Sequence, residues 1–256
     1  MPSQHRDVPY LRRGDVELLA RIYEADGPTV VEVHGGAWCD HDRRAGALYD
    51  TALAEAGYRV VAIDFRMGPD HRHPAASEDV AAAVEWARAE LGAQQVALAG
   101  SSSGGHLALH AALHLDRPVA GVIALWPPTH PLDRFRYAAT KDDDHGRRLV
   151  SNTLAYFGDE VTMAEAAISR VVADGEATNL PPVWLVHPTE DANVPRHISE
   201  DLVSVYRAAA GEIDVWWVEG QPHAFGHFPG PATDELLDRM ARRLSEWFGT
   251  AGPDRP

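Results

Sequence analysis

No five residues constrain this chain more than Gly100-Ser101-Ser102-Ser103-Gly104, because of what stands on either side of them. Before them runs Gln95-Val96-Ala97-Leu98-Ala99, an apolar run of strand type. After them, Gly105-His106-Leu107-Ala108-Leu109-His110-Ala111-Ala112-Leu113 is built of helix formers. A strand that turns at once into a helix leaves no room for side chains near Ser102, and glycine at both flanks removes them. The frame is that of a nucleophile elbow, which lifts the central serine oxygen out of the sheet and aims a helix N-terminus at it. Only Ser102 has glycine both two residues before and two after, so Ser101 and Ser103 read as small residues in a crowded turn. The backbone N–H of Ser103 is placed to donate to an oxyanion.

The rest of the chain alternates strand and helix, which predicts one α/β domain over 1–256 with a mostly parallel sheet and helices on both faces. Strand candidates are 17–23, 29–33, 59–65, 95–99, 120–126, 183–187 and 213–218. Val60-Val61-Ala62-Ile63 shows no polar alternation, as a strand covered on both faces should not. Ser77-Glu78-Asp79 reads as a helix start, a cap residue followed by two acids, with Val80, Val84, Ala87 and Leu91 repeating on one face. Further helices fit 48–56, 162–172, 198–210 and 233–248, and 252–256 reads as a frayed tail.

Two more motifs join the elbow. His34-Gly35-Gly36-Ala37-Trp38 follows the apolar run Thr29-Val30-Val31-Glu32-Val33. Gly35 and Gly36 let the backbone approach a carbonyl oxygen closely, so their N–H groups can stabilise charge that develops there. With this loop and the elbow the chain resembles the α/β-hydrolase superfamily. Within it, it is similar to esterases with an H-G-G-x-W oxyanion loop: hormone-sensitive-lipase-like enzymes, feruloyl and acetyl esterases, and arylformamidases. Ala37 departs from the third glycine of many relatives. The resemblance gives His34 a loop-bracing place and puts Gly35, Gly36 and Ser103 in the oxyanion hole.

The resemblance also implies where the acid and base lie. The acid follows a buried strand, here Val183-Trp184-Leu185-Val186-His187, in a pattern like D-x-x-V-P, which Asp191 fills; Glu190 is its neighbour and alternative. Pro188 replaces the usual glycine after the strand's histidine. The base follows the last strand, in Gln221-Pro222-His223-Ala224-Phe225, which selects His223, with His227 a distant second. The chain order Ser102, Asp191, His223 is the superfamily's. Residues 127–182 are too long for a plain crossover and read either as a small cap over the site or as a solvated excursion. Trp38, Trp126 and Phe225 are candidate walls of the substrate pocket, and either tryptophan could equally be core.

Composition sets limits on partners. A net charge of −15 would be repelled by a nucleic-acid backbone or an anionic membrane surface. The N-terminal residues carry no apolar targeting segment, and no run approaches membrane-spanning length, so a cytoplasmic monomer or homodimer is expected. The single Cys39 excludes an internal disulfide and reads as a packed thiol. His106, His110 and His114 share one helix face, but the metalloprotease pattern needs glutamate after the first histidine and has leucine here. The expectation is a cofactor-free serine hydrolase cleaving carboxylic esters of small or aryl substrates. Its alternatives are amide or formamide hydrolysis by the same triad, and a catalytically silent small-molecule-binding protein on the same fold.

Overall fold

The apolar runs that lack polar alternation assemble into the middle of one eight-stranded sheet in the computed structural model, which describes residues 5–250. In chain order the elements are β1 (His5–Arg13), β2 (Val16–Tyr23), β3 (Thr29–Val33), α1 (Ala47–Glu55), β4 (Arg59–Ile63), α2 (Ala75–Glu90), β5 (Val96–Ser101), α3 (Ser103–His114) and β6 (Val122–Leu125). Then come α4 (Pro131–Ala139), α5 (Asp144–Phe157), α6 (Glu160–Glu165), α7 (Ile168–Ala173), β7 (Val183–Glu190), α8 (Arg196–Ala208), β8 (Ile213–Pro222) and α9 (Pro231–Phe248). Strand order is β1-β2-β4-β3-β5-β6-β7-β8, with β3 to β8 parallel and β1 and β2 antiparallel at one edge. After β3 the chain first crosses outward to β4 and then returns to lay β5 on the other side. The strand order reverses there, and that reversal opens a crevice at the carboxyl ends of the strands.

Because strand side chains alternate, each central strand feeds two cores. Val31, Val33, Val61, Ile63 and Leu98 pack with α2, α3 and α8 on one face. Val30, Val60, Ala62, Ala97 and Ile123 pack with α1 and α9 on the other. Strand β1 lies at the edge with one buried residue, Tyr10, so its sequence carries little alternation, and it lies outside the strands expected from the apolar pattern. Helix α2 starts two residues before the expected Ser77 cap, after Pro74. Ser77 and Asp79 are buried inside it, and Asp79 takes the Arg66 guanidinium through Nε at 2.9 Å and Nη2 at 2.9 Å. The single helix expected over 162–172 is two short ones, broken at Ala166-Ala167. The tail 252–256 lies outside the described residues.

The elbow between β5 and α3 is sterically closed. Ser102 has φ 50° and ψ −124°, a backbone region that only strong surrounding contacts hold for a residue with a side chain. A Cβ on Gly100 would stand 2.4 Å from the Gly104 carbonyl oxygen, and one on Gly104 would stand 2.0 Å from that of Val33. Ser103 Oγ, by contrast, is buried without a hydrogen-bond partner.

Behind the elbow, on the α1 side of the sheet, sits an acidic pair. Glu32 on β3 and Asp50 on α1 are both fully buried, and neither Asp50 oxygen has a hydrogen-bond partner. The Tyr49 hydroxyl lies 3.4 Å from Glu32 Oε1 and 3.1 Å from Ser101 Oγ. Burial pushes both carboxyls above the ordinary range, so the folded chain keeps protons that the unfolded chain releases.

Two outcomes follow from these contacts. Gly104→Ala should lower the melting temperature by more than about 10 °C or abolish folding, because backbone must move. Ser103→Ala, one position away, should leave it unchanged or raise it, since it removes an unsatisfied buried hydroxyl. Differential scanning calorimetry reads both. For the acidic pair, a folded-state pKa above the unfolded one makes stability fall as pH rises from about 4.3 upward. Glu32→Gln should therefore lose less stability than the parent between pH 5 and pH 8 in the same calorimeter, and parallel curves would place the titration elsewhere.

Candidate active site

At the carboxyl ends of β5, β7 and β8, three side chains expected to meet do meet. Ser102 stands on the elbow with its N–H held by the Leu125 carbonyl at 2.8 Å. Its Oγ lies 3.1 Å from His223 Nε2, and His223 Nδ1 lies 2.7 Å from Asp191 Oδ2. The other carboxylate oxygen of Asp191 accepts the backbone N–H groups of Asn193 and Val194, each at 2.8 Å. With Oδ1 so engaged, Oδ2 receives the Nδ1–H of His223, which leaves the Nε2 lone pair facing the serine hydroxyl. The Asp191 side chain is 1% exposed and that of His223 14%, so the pair is sheltered while the imidazole edge stays reachable.

The other acid and base candidates sit elsewhere. Glu190 is exposed at the end of β7, opposite Pro222. Pro188 does not divert the chain early: β7 continues through it with a bulge before Glu190, and the acid loop begins at Asp191. His227 borders the same cavity, but its ring packs on Tyr49 at 5.6 Å and Trp126 at 6.0 Å and bonds neither Ser102 nor Asp191.

The loop after β3 approaches the elbow from the opposite side. A Cβ on Gly35 would lie 3.0 Å from the Ser101 carbonyl oxygen and 3.3 Å from Ser102 Cβ, so that backbone rests on the turn that carries Ser102. Gly36 has φ 120°, and a Cβ there would stand 2.0 Å from the Asp40 carbonyl oxygen, so glycine is required. The N–H groups of Gly35 and Gly36 donate to no acceptor among the described residues. That of Ser103, the first residue of α3, is one of the amides a helix start leaves unpaired. His34 is buried and donates through Nδ1 to the Gly35 carbonyl at 2.6 Å while its ring stacks on Phe65 at 4.3 Å. Burial pushes its pKa down to about 4, so it stays neutral and braces the loop.

Gly35, Gly36, Ser102 and His223 border a cavity of about 450 Å³, which residues of the helical stretch between β6 and β7 also line. Helix α4 contributes Arg134, and α5 contributes His145, Arg148, Leu149 and Asn152. Of the expected pocket walls, Trp126 borders the cavity. Trp38 does not: it is fully buried, stacked in parallel on Tyr156 at 6.0 Å, and donates to His106 Nδ1 at 3.4 Å. Phe225 is buried behind Trp126, at 5.1 Å between rings, and also lies outside the lining. Each side chain turned into a core because its own loop folds inward under the site.

No local sequence pattern singles out Arg134, His145, Arg148 or Asn193, which line the cavity. His145 Nε2 lies 2.6 Å from Asn193 Oδ1, tying α5 to the acid loop. Asp40, just past the oxyanion loop, accepts from Arg148 Nη2 and Asn152 Nδ2, each at 2.8 Å. The only signal for the first tie was the asparagine two residues after the acid, in a segment where a turn needs such a residue anyway.

The histidines of α3 lie outside the cavity lining. His106 is buried, donates through Nε2 to the Ala166 carbonyl at 2.9 Å, and is held neutral by burial, its pKa pushed down to about 3. His114 bonds the His110 carbonyl at 2.7 Å. Among the described residues, no three His, Cys, Asp or Glu side chains gather as a metal site would require, and no helix is long and apolar enough to cross a membrane. The Cys39 thiol donates to the Asn152 carbonyl at 3.3 Å, and burial pushes its pKa up to about 11.

Comparison with known proteins places this geometry. Residues 30–227 match a sequence family described as the alpha/beta hydrolase fold. Esterase LipC of Mycobacterium tuberculosis is 29% identical over 243 residues, covering 86% of this chain and 58% of LipC. Carboxylesterase NlhH of the same organism is 31% identical over 209 residues, covering 71% of this chain and 63% of NlhH. The chain thus spans about three fifths of the length of these curated relatives. The crystal structure of an esterase from the bacterial hormone-sensitive lipase family superposes with a TM-score of 0.80 at 22% identity, over 96% of this chain and 85% of that one, a likeness of fold. The order of the strands, the elbow and the matched span agree: the chain belongs to the α/β-hydrolase fold family.

Proposed function

We propose that this protein hydrolyses carboxylic esters of small or aryl substrates through Ser102, His223 and Asp191. The observation that carries the proposal is the position of His223, within hydrogen-bond reach of Ser102 Oγ at 3.1 Å and of Asp191 Oδ2 at 2.7 Å. His223 takes the serine proton as Oγ attacks the ester carbonyl. Asp191 fixes the imidazole tautomer and stabilises the imidazolium that forms. The unpaired N–H groups of Gly35, Gly36 and Ser103 receive the oxyanion of the tetrahedral intermediate. His223 then gives its proton to the leaving alcohol, and water repeats the sequence on the acyl-enzyme. Helices α4 to α7 act as a cap, and a cavity of about 450 Å³ suits a small ester.

Turnover of p-nitrophenyl acetate, set against that of N-formyl-kynurenine, tests the reading. Preference for the first supports ester hydrolysis, preference for the second moves the reaction to formamides, and turnover of neither favours a silent binding protein. Ser102→Ala should lower kcat by about four to six decades. Asp191→Asn should cost about four decades by holding the wrong tautomer. Glu190→Gln should be mild, since that side chain is exposed and makes no contact with His223. A dead Glu190→Gln protein with an active Asp191→Asn protein would overturn the assignment of the acid.

A further inference from the structure

Arg134 stands in the roof of the cavity in a state that buried arginines seldom occupy. The residue is 2% exposed, and it borders the same cavity as Ser102 and His223. Its Nη1 donates to the Leu149 carbonyl at 3.2 Å and to Thr153 Oγ1 at 2.5 Å, both on α5. The guanidinium carbon lies 5.4 Å from the centre of the Trp38 ring. Its Nε is buried without an acceptor, and among the described residues Nη2 has none either. No ion pair among the described residues includes Arg134.

Nε and Nη2 form the edge of a guanidinium that takes a carboxylate side-on with two parallel N–H donors. The same chain uses this edge repeatedly where a carboxylate is present: Arg66 holds Asp79 through it, Arg21 holds Asp7 at 2.8 and 3.0 Å, and Arg44 and Arg239 hold Asp42 and Glu235 through the same two nitrogens. At Arg134 the edge is intact and has no acceptor among the described residues. Nearby carboxylates are committed to other partners. Asp40 is held by Arg148 and Asn152, and Asp191 by His223 and two backbone amides. Asp191 acts on Arg134 through its charge alone, and burial still pushes the arginine down to about 10. A buried cation without a paired anion is costly, and a structural clip between α4 and α5 would need only a neutral donor.

We propose that Arg134 is a substrate-specificity residue that pairs with a carboxylate carried by the ester substrate, on its acyl or its alcohol side. This rests on the ester-hydrolase reading for the reaction and adds the class of substrate. The planar fork of arginine, unlike a lysine ammonium, would bind that carboxylate in one orientation and so fix the scissile carbonyl relative to Ser102.

The test compares three esters followed by titration of the acid released: ethyl butyrate, monoethyl succinate and carboxymethyl butyrate. The first is neutral, the second carries its carboxylate on the acyl side, and the third on the alcohol side. The parent protein should favour at least one charged ester by kcat/KM. Arg134→Met should lower that charged-to-neutral ratio by about tenfold or more, as loss of a charge-assisted hydrogen bond does. Arg134→Lys should keep part of the ratio. A purely structural arginine would lower both rates in parallel and leave the ratio unchanged, which overturns the proposal, as does a parent that favours ethyl butyrate over both charged esters. Calorimetric binding of monoethyl succinate and carboxymethyl butyrate to Ser102→Ala protein, with and without Arg134→Met, separates the two claims. If the parent hydrolyses none of the three but an Arg134-dependent binding preference persists, the hydrolase reading fails and the anion site stands. Absence of both overturns both.

Discussion

The close contact between the end of β3 and the start of α3 governs the site. At Gly104 the backbone of α3 lies against the Val33 and His34 carbonyls, where a Cβ would stand 2.0 and 2.4 Å away. That approach brings two groups together, the Gly35-Gly36 loop and the Ser102 turn, so closely that a Cβ on Gly35 would lie 3.3 Å from Ser102 Cβ. The two groups come from loops about seventy residues apart in the chain. It also fixes the direction of α3, and through α3 the place of Trp38, which packs against His106 of that helix. The apolar cores on either side hold the sheet, and this contact decides where its chemistry sits.

The cost of that convergence is visible in the backbone. Seven non-glycine residues among those described have positive φ: Ala37, Trp38, His41, Ser102, Trp126, Ala210 and Ala224. All but Ala210 lie on the loops that surround the cavity. Each such residue costs of order 1–3 kcal/mol in less favourable cases, and such positions persist only where the surroundings over-determine them. Here the over-determination is local and identifiable: the Gly36 carbonyl accepts the amides of Cys39 and Asp40, and the Val186 carbonyl accepts that of Trp126. A site built this way is held in shape before substrate arrives, which is what electrostatic stabilisation of an oxyanion requires.

Much of this was legible in the sequence where chemistry demands a local pattern. The elbow, the Gly-Gly loop, the D-x-x-V-P segment and the histidine after the last strand each occupy a few consecutive residues, and the parallel core strands announce themselves as unbroken apolar runs. What escaped depended on distant partners. The edge strand β1 buries too little to alternate. Helix α5 interrupts its apolar face with Thr153, whose hydroxyl is satisfied by the Leu149 carbonyl at 2.6 Å, so the repeat is concealed. Ser77 looks like a cap only until Pro74 starts the helix one turn earlier. Trp38 beside the oxyanion loop resembles a pocket wall, yet its loop turns it under the site. The burial of Arg134 depends on three separate segments, and no spacing in the sequence encodes it.

The ties of α5 to its two neighbours are unequal. On the acid side one hydrogen bond, His145 to Asn193, joins the helix to the loop whose amides hold Asp191. On the oxyanion side three contacts join it: the Arg148–Asp40 ion pair, with the arginine side chain 62% exposed, the hydrogen bond from Asn152 Nδ2 to Asp40, and that from the Cys39 thiol to the Asn152 carbonyl. Salt screens an exposed pair far more than a neutral hydrogen bond. Salt therefore weakens the Arg148–Asp40 pair first, while the two hydrogen bonds through Asn152 continue to hold α5 to the loop after β3.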